Sequence, residues 1–209
     1  MPAALHVSAC DIEADAIVEQ IGDEAERGAP DNGPLKPSTS KRWAALKRDP
    51  EETQIAVMLA AARAPMKDNT ARSYRLVPLH KHMVAQILRR DLPFTEAHLV
   101  PLLTAWSKQD NWTRRDKAML GLNWGLPGKT ILGALERYAG KEPLSGDCVQ
   151  VLTRLRDDAA NSGWGLGPNK PERDLAARID RLLNPRPPAV PAGEDPSLPD
   201  LGPEGDGGS

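Results

Sequence analysis

The feature that most constrains this chain is an apolar rhythm at helical spacing, interrupted by Gly and Pro. In residues 72–91, RSYRLVPLHKHMVAQILRRD, the residues Leu76, Leu79, Met83, Val84, Ile87 and Leu88 follow one another at steps of 3, 4, 1, 3 and 1. An α-helix gathers such steps on one face, whereas a strand, with its period of two, scatters them over both. Residues 96–108, EAHLVPLLTAWSK, repeat the pattern with Leu99, Leu102, Leu103 and Trp106, and residues 146–160 place Val149, Leu152 and Leu155 inward. β-branched residues are scattered singly and no short stretch alternates cleanly, so no strand is predicted.

The same reading predicts helices over 9–27, 51–63, 130–139 and 172–183. Thr95 and Ser145 are suited to cap their helices, and Gly28 and Gly140 to end theirs. Pro78 is placed near a first turn, where its missing N–H costs least, and Pro101 inside its helix. In residues 9–27, ACDIEADAIVEQIGDEAER, the apolar stripe is Ile12, Ala16, Ile17, Ile21 and Ala25. The stripe is narrow and the opposite face acidic, so this helix must dock on something.

Four segments result. Residues 1–33 form an acidic N-terminal helix and 34–50 a linker and basic segment; the stretch 29–41 holds three prolines, an Asn-Gly pair and a Ser/Thr cluster. Residues 51–184 form a helical-repeat domain. Residues 185–209, with seven Pro and five Gly, form an acidic tail expected to be disordered. With five Trp but only two Tyr and one Phe, the core must be built from Leu, Ala, Val and Ile around a few indole anchors.

Composition excludes several classes. Cys10 and Cys148 stand 138 residues apart, without metal or redox spacing, and read as free thiols of a reducing compartment. No run approaches the ~18 apolar residues of a membrane span, and the N-terminus lacks the basic start of a signal peptide. A cytoplasmic protein with no membrane contact is expected. The net charge of −2 conceals an uneven distribution: residues 34–130 carry +9 and the remainder −11. A basic centre flanked by acidic ends points to nucleic-acid contact or to an acidic arm folded over a basic face.

Residues 121–130, GLNWGLPGKT, end as a phosphate-binding loop does. That loop needs Gly five residues before Gly128, where Asn123 stands, and an apolar strand ahead of it. Neither is present. The stretch instead matches a later part of the chain: NWGLPGK at 123–129 and GWGLGPNK at 163–170 place Trp124 and Trp164 40 residues apart. That interval lies at the short end of the HEAT and armadillo period, with Trp as the anchor of each turn.

No catalytic motif is visible, and no cofactor is expected. His80 and His82, two apart on a helix, cannot share a metal; His98 on the next helix could face one of them, but no carboxylate or thiol stands nearby at ligand spacing, so no metal site is predicted. The feature with functional weight is the basic centre. Lys41, Arg42, Lys47 and Arg48 flank Trp43; Arg89 and Arg90 end a helix; Arg114, Arg115 and Lys117 follow Trp112. Cations interleaved with Trp can hold phosphates and stack bases.

The run LRRDLPFTEAHLVPLLTAW, with ILGALERYAGKEPLSGDCVQVLTRLRD and DLAARIDRLL, resembles the HEAT-like helical N-terminal region of large bacterial proteins. Those proteins carry a C-terminal domain of unknown function, of the molybdate-metabolism-regulator type. The likeness spans about residues 76–184 and implies an α-helical, HEAT-like region in a bacterial protein, with no catalytic residues to carry over. This chain departs from them by ending after its helices.

The expected architecture is therefore all-α, with antiparallel helical hairpins in a short HEAT-like solenoid or irregular bundle. The expected function is a non-catalytic protein-interaction scaffold. The alternative is a nucleic-acid-binding module using the basic central segment 34–130, which requires its three cationic clusters to share one face.

Overall fold

The computed structural model describes residues 9–29, 33–64, 71–107, 126–161 and 170–185. Among these residues the chain is all-α, without a strand. Helix α1 (Ala9–Arg27) is followed by a 3-10 turn (Pro37–Thr39), then α2 (Lys41–Leu46), α3 (Glu51–Arg63), α4 (Ala71–Leu88), α5 (Glu96–Ser107), α6 (Gly128–Ala139), α7 (Gly146–Asn161) and α8 (Lys170–Leu183). Arg114, Arg115, Lys117, the repeat anchors Trp124 and Trp164, and the tail beyond residue 185 lie outside the described residues.

Helix α3 is the centre of the N-terminal half. Gln54, Ile55, Val57, Met58, Ala60, Ala61 and Ala62 are all buried, so little of its circumference meets water. A helix apolar on nearly every side must be sandwiched, and α1 and α4 both pack on it. Its alanines let the neighbours approach closely. Arg63, at the end of α3, bonds Asp11 at the start of α1, at 3.2 Å. Gln54, near the start of α3, meets Arg90, just beyond the end of α4. Both pairings are therefore antiparallel. In the C-terminal half α5 packs on α6 and α7, and α7 on α8. One continuous core links the two halves, with Leu79, Met83, Ile87, Leu99, Leu103, Ile131 and Leu132 fully buried.

Local chemistry sets the helix starts. The Ser40 hydroxyl accepts the Trp43 N–H at 3.1 Å and opens α2. The Thr95 N–H donates to His98 Nδ1 at 3.1 Å, so a His at the third helical position closes the cap of α5. The Ser145 hydroxyl accepts the Cys148 N–H and opens α7.

Three expectations are corrected. Helix α1 docks through Ala14, Ile17, Val18, Ile21 and Ala25, while Ile12 is 64% exposed and Ala16 is exposed as well. The helix offers two overlapping stripes, and its packing on α3, α2 and the 3-10 turn selects the one through Ala14 and Val18. In α7, which packs on α5 and α8, the buried positions are Cys148, Leu152, Leu155 and Ala159, and Val149 faces outward. Pro78 lies well inside α4, not in its first turn. It is exposed there, on the polar side of the helix.

Candidate functional site

A groove of about 730 Å³ runs between the segment that leads into α2 and one face of α4. One wall is Leu35, Lys36, Pro37, Ser38, Trp43 and Lys47. The other is Pro78, His82, Gln86, Arg89 and Arg90. Along α4 and just past its end, Pro78, His82, Gln86 and Arg89 follow at steps of 4, 4 and 3, one stripe beside the buried Leu79, Met83 and Ile87.

The first wall is the stretch read from sequence as a linker. Its composition suits a turn, and the turn is docked. Pro37 is buried at the start of the 3-10 turn, and Ser40 is 1% exposed. Glu24 of α1 is the post to which the stretch is tied. Its Oε2 accepts the Arg42 backbone N–H at 3.0 Å and the Ser40 hydroxyl at 2.9 Å. These two hydrogen bonds, the backbone one foremost, pull the Glu24 carboxyl down to about 2. The acidic helix thus holds the groove wall in place from behind.

The groove is cationic. Lys36, Lys47, Arg89 and Arg90 line it with His82, and among the described residues no Asp or Glu does. Arg90 is the fixed element. Its guanidinium carbon lies 5.3 Å from the centroid of the Trp43 ring, within cation–π range. Its Nη1–H donates to Gln54 Oε1 at 2.5 Å. The buried Gln54 is itself oriented, because its Nε2–H donates to the Asp49 carbonyl at 2.9 Å. Burial lowers the Arg90 pKa from its ordinary value, but an arginine has far to fall before it loses its proton.

The partners of Arg90 are neutral, and unlike Arg42, Arg63, Arg72, Arg156 and Arg178 it meets no carboxylate among the described residues. Arg42 ends on Asp49, Arg63 on Asp11 and Asp15, and Arg72 on Glu19, Asp23 and Glu26. Arg156 and Arg178 end on Asp180 and Glu136, and Arg27 and Arg137 on helix carbonyls. An amide and an indole face hold a guanidinium without cancelling its charge. Arg90 is thus anchored at one N–H and at one face, with no ion-pair partner among the described residues.

Of the basic residues singled out in the sequence, the groove brings together Lys47, Arg89 and Arg90. Lys41 and Arg48 are exposed and do not line it, and Arg42 is tied to Asp49. Lys36 and His82 were not among the basic candidates. The polar stripe of α4 was the signal for His82, whereas Lys36 sat in the presumed linker. Trp43 is 9% exposed and carries Arg90 against its ring.

No protein-family model, curated protein or solved structure matches this chain. The site therefore rests on its own geometry.

The remaining chemistry-bearing residues lie elsewhere. His80 is 5% exposed on the core side of α4, and its buried Nδ1 has no partner among the described residues. Burial pushes its pKa down to about 4, so the ring is neutral at physiological pH. Cys148 is buried, and desolvation pushes its thiol up to about 12, far from a nucleophilic thiolate. No group of three His, Cys, Asp or Glu stands at metal-binding range among the described residues, and no described helix is long and apolar enough to cross a membrane.

Proposed function

We propose that this protein is a non-catalytic interaction module that seats an acidic segment of a partner protein in the groove between the turn–α2 segment and α4. The observation that carries this reading is Arg90, fixed by Trp43 and Gln54, without an ion-pair partner among the described residues, beside Lys36, Lys47 and Arg89 in a lining to which no described acid contributes. A ligand carboxylate meets a preoriented fork and loses little of the arginine's rotamer freedom in doing so. The antiparallel packing of α1 on α3 and of α3 on α4 supports a short HEAT-like stack as the scaffold. The likeness of residues 76–184 to the helical region of bacterial molybdate-metabolism-regulator-type proteins, and a cytoplasmic setting, belong to the same proposal.

A nucleic-acid reading has one observation in its favour: cations converge beside a tryptophan. The covered Trp43 face weakens it, because single-strand binding draws much of its affinity from base stacking on open rings.

Fluorescence anisotropy tests the assignment. A labelled acidic peptide and labelled single- and double-stranded oligonucleotides are titrated with the full chain at low and at physiological salt. The peptide is expected to bind, with affinity falling as salt rises. The double variant K47E/R89E is expected to weaken it at least tenfold, since each exposed ion pair, worth ~0.2–1 kcal/mol, turns into a repulsion. Oligonucleotides binding more tightly than the peptide, or a peptide affinity indifferent to K47E/R89E, would overturn the reading.

A further inference from the structure

We infer that the acidic segment is recognised through a phosphorylated side chain, a phosphate monoester held by Arg90 with Lys47 and Arg89 beside it. This rests on the reading of the groove as the seat of an acidic segment, and it names what the groove distinguishes.

Charge density in the groove favours a phosphate over a carboxylate. A volume of 730 Å³ is a cube about 9 Å on a side, close to the ~8 Å Debye length at physiological ionic strength. Four permanent cations border that space, and none of Lys36, Lys47, Arg89 or Arg90 has an ion-pair partner among the described residues. A single carboxylate brings one negative charge and leaves most of that repulsion in place. A phosphate monoester brings roughly −1.5 to −2 on three acceptor oxygens at one point.

The donor geometry of Arg90 favours it as well. A guanidinium has five N–H donors in a planar fork. Arg90 commits one of them to Gln54 and one ring-sized face to Trp43. Those two contacts fix the plane of the fork while leaving its other donors uncommitted to described residues. Such a fork matches two phosphate oxygens at once, which a lysine cannot do. The flexible, exposed Lys47 and Arg89 can then adjust around the remaining oxygen and the neighbouring acids of the segment.

The position of Arg90 is built and not incidental. The end of a helix favours a cation on dipole grounds alone, and Arg89, exposed at the same helix end, satisfies that. Arg90 goes further. Its contact with Gln54 spans 36 residues and depends on an amide buried to 5% exposure and itself anchored on Asp49.

The test uses three labelled peptides of one acidic sequence, with Ser, phosphoserine or Asp at the centre, against the full chain and its R90K variant. Inorganic phosphate serves as competitor. The phosphoserine peptide is expected to bind at least tenfold more tightly than the Asp peptide. R90K keeps the charge but loses the fork, so it is expected to remove that preference while retaining weak binding of all three. Equal affinity of the phosphoserine and Asp peptides for the native chain overturns the phosphate inference and leaves the acidic-segment reading standing. No binding of any peptide overturns both. Displacement by inorganic phosphate at the same concentration as by unlabelled phosphopeptide also overturns the inference, because the groove would then read an ion and not a segment. The native-chain comparison is decisive even if R90K folds poorly.

Discussion

Gly128, the glycine of the Gly-Lys-Thr triplet, offers a sharp test of the packing described above. It is the first residue of α6, and it lies against the indole of Trp106. A Cβ built there falls in hard overlap with Cε2, Cζ2 and Cη2 of that ring. Trp106 is 8% exposed and belongs to the core, so the ring has little room to retreat. Two effects of Gly128→Ala oppose each other. Gly128 has no left-handed backbone, so alanine gains ~0.5–1 kcal/mol by restricting the unfolded chain. Forcing a methyl group into a packed site costs ~1–3 kcal/mol. The overlap wins, and a net loss of roughly 1–2 kcal/mol is expected, or a Tm lower by ~2–8 °C for a chain of this size. Gly146→Ala is the matched control. Gly146 is also the first residue of its helix, and nothing lies within 4 Å of its Cβ position. Only the favourable effect remains there, so Tm should rise by ~1–4 °C. Thermal melts followed by far-ultraviolet circular dichroism read both. A Gly128→Ala protein that melts at or above the native temperature would refute the close approach of α6 to Trp106.

Other outcomes follow from single contacts. Arg72→Ala removes a side chain that meets Glu19, Asp23 and Glu26 at 2.6, 2.5 and 2.9 Å. Arg72 is 42% exposed, so screening keeps the loss to about 1–2 kcal/mol at low salt, and the deficit should shrink near 1 M salt; a salt-independent deficit would mean that these ion pairs do not hold α1. His80 is buried neutral, with a pKa of about 4 against an ordinary 6.5. Its folded pKa is depressed, so the unfolded chain binds more protons between those values and stability falls as pH drops from 6.5 to 4, by ~3 kcal/mol in all. Urea titrations across that window should lose most of this slope in His80→Leu, and an unchanged slope would place the pH dependence elsewhere. Cys10 is exposed and Cys148 buried, so native protein should take up one equivalent of iodoacetamide and a second only on unfolding; rapid double labelling would contradict the burial of Cys148.

What the chain by itself determines is mostly local. The helix at Leu79, Met83 and Ile87, the starts at Thr95 and Ser145 and the stop at Gly140 were legible because a helix is closed by contacts within four residues. The basic centre was legible as composition, and Lys47, Arg89 and Arg90 were among its named residues. Only the tertiary structure decided the rest. Periodicity could not choose between the Ile12 and Ala14 stripes of α1, because both are helical and only packing on α3, α2 and the 3-10 turn tells them apart. The Pro-rich stretch read as a linker became a wall of the groove, because Glu24, 16 residues before Ser40, supplies acceptors that no local pattern reveals. Charge counts could not separate the neutralised Arg42, Arg63 and Arg72 from Arg90. An arginine's partner is chosen by what folding brings within 3 Å or so, and Gln54 and Trp43 reach Arg90 only once α2, α3 and α4 have packed together.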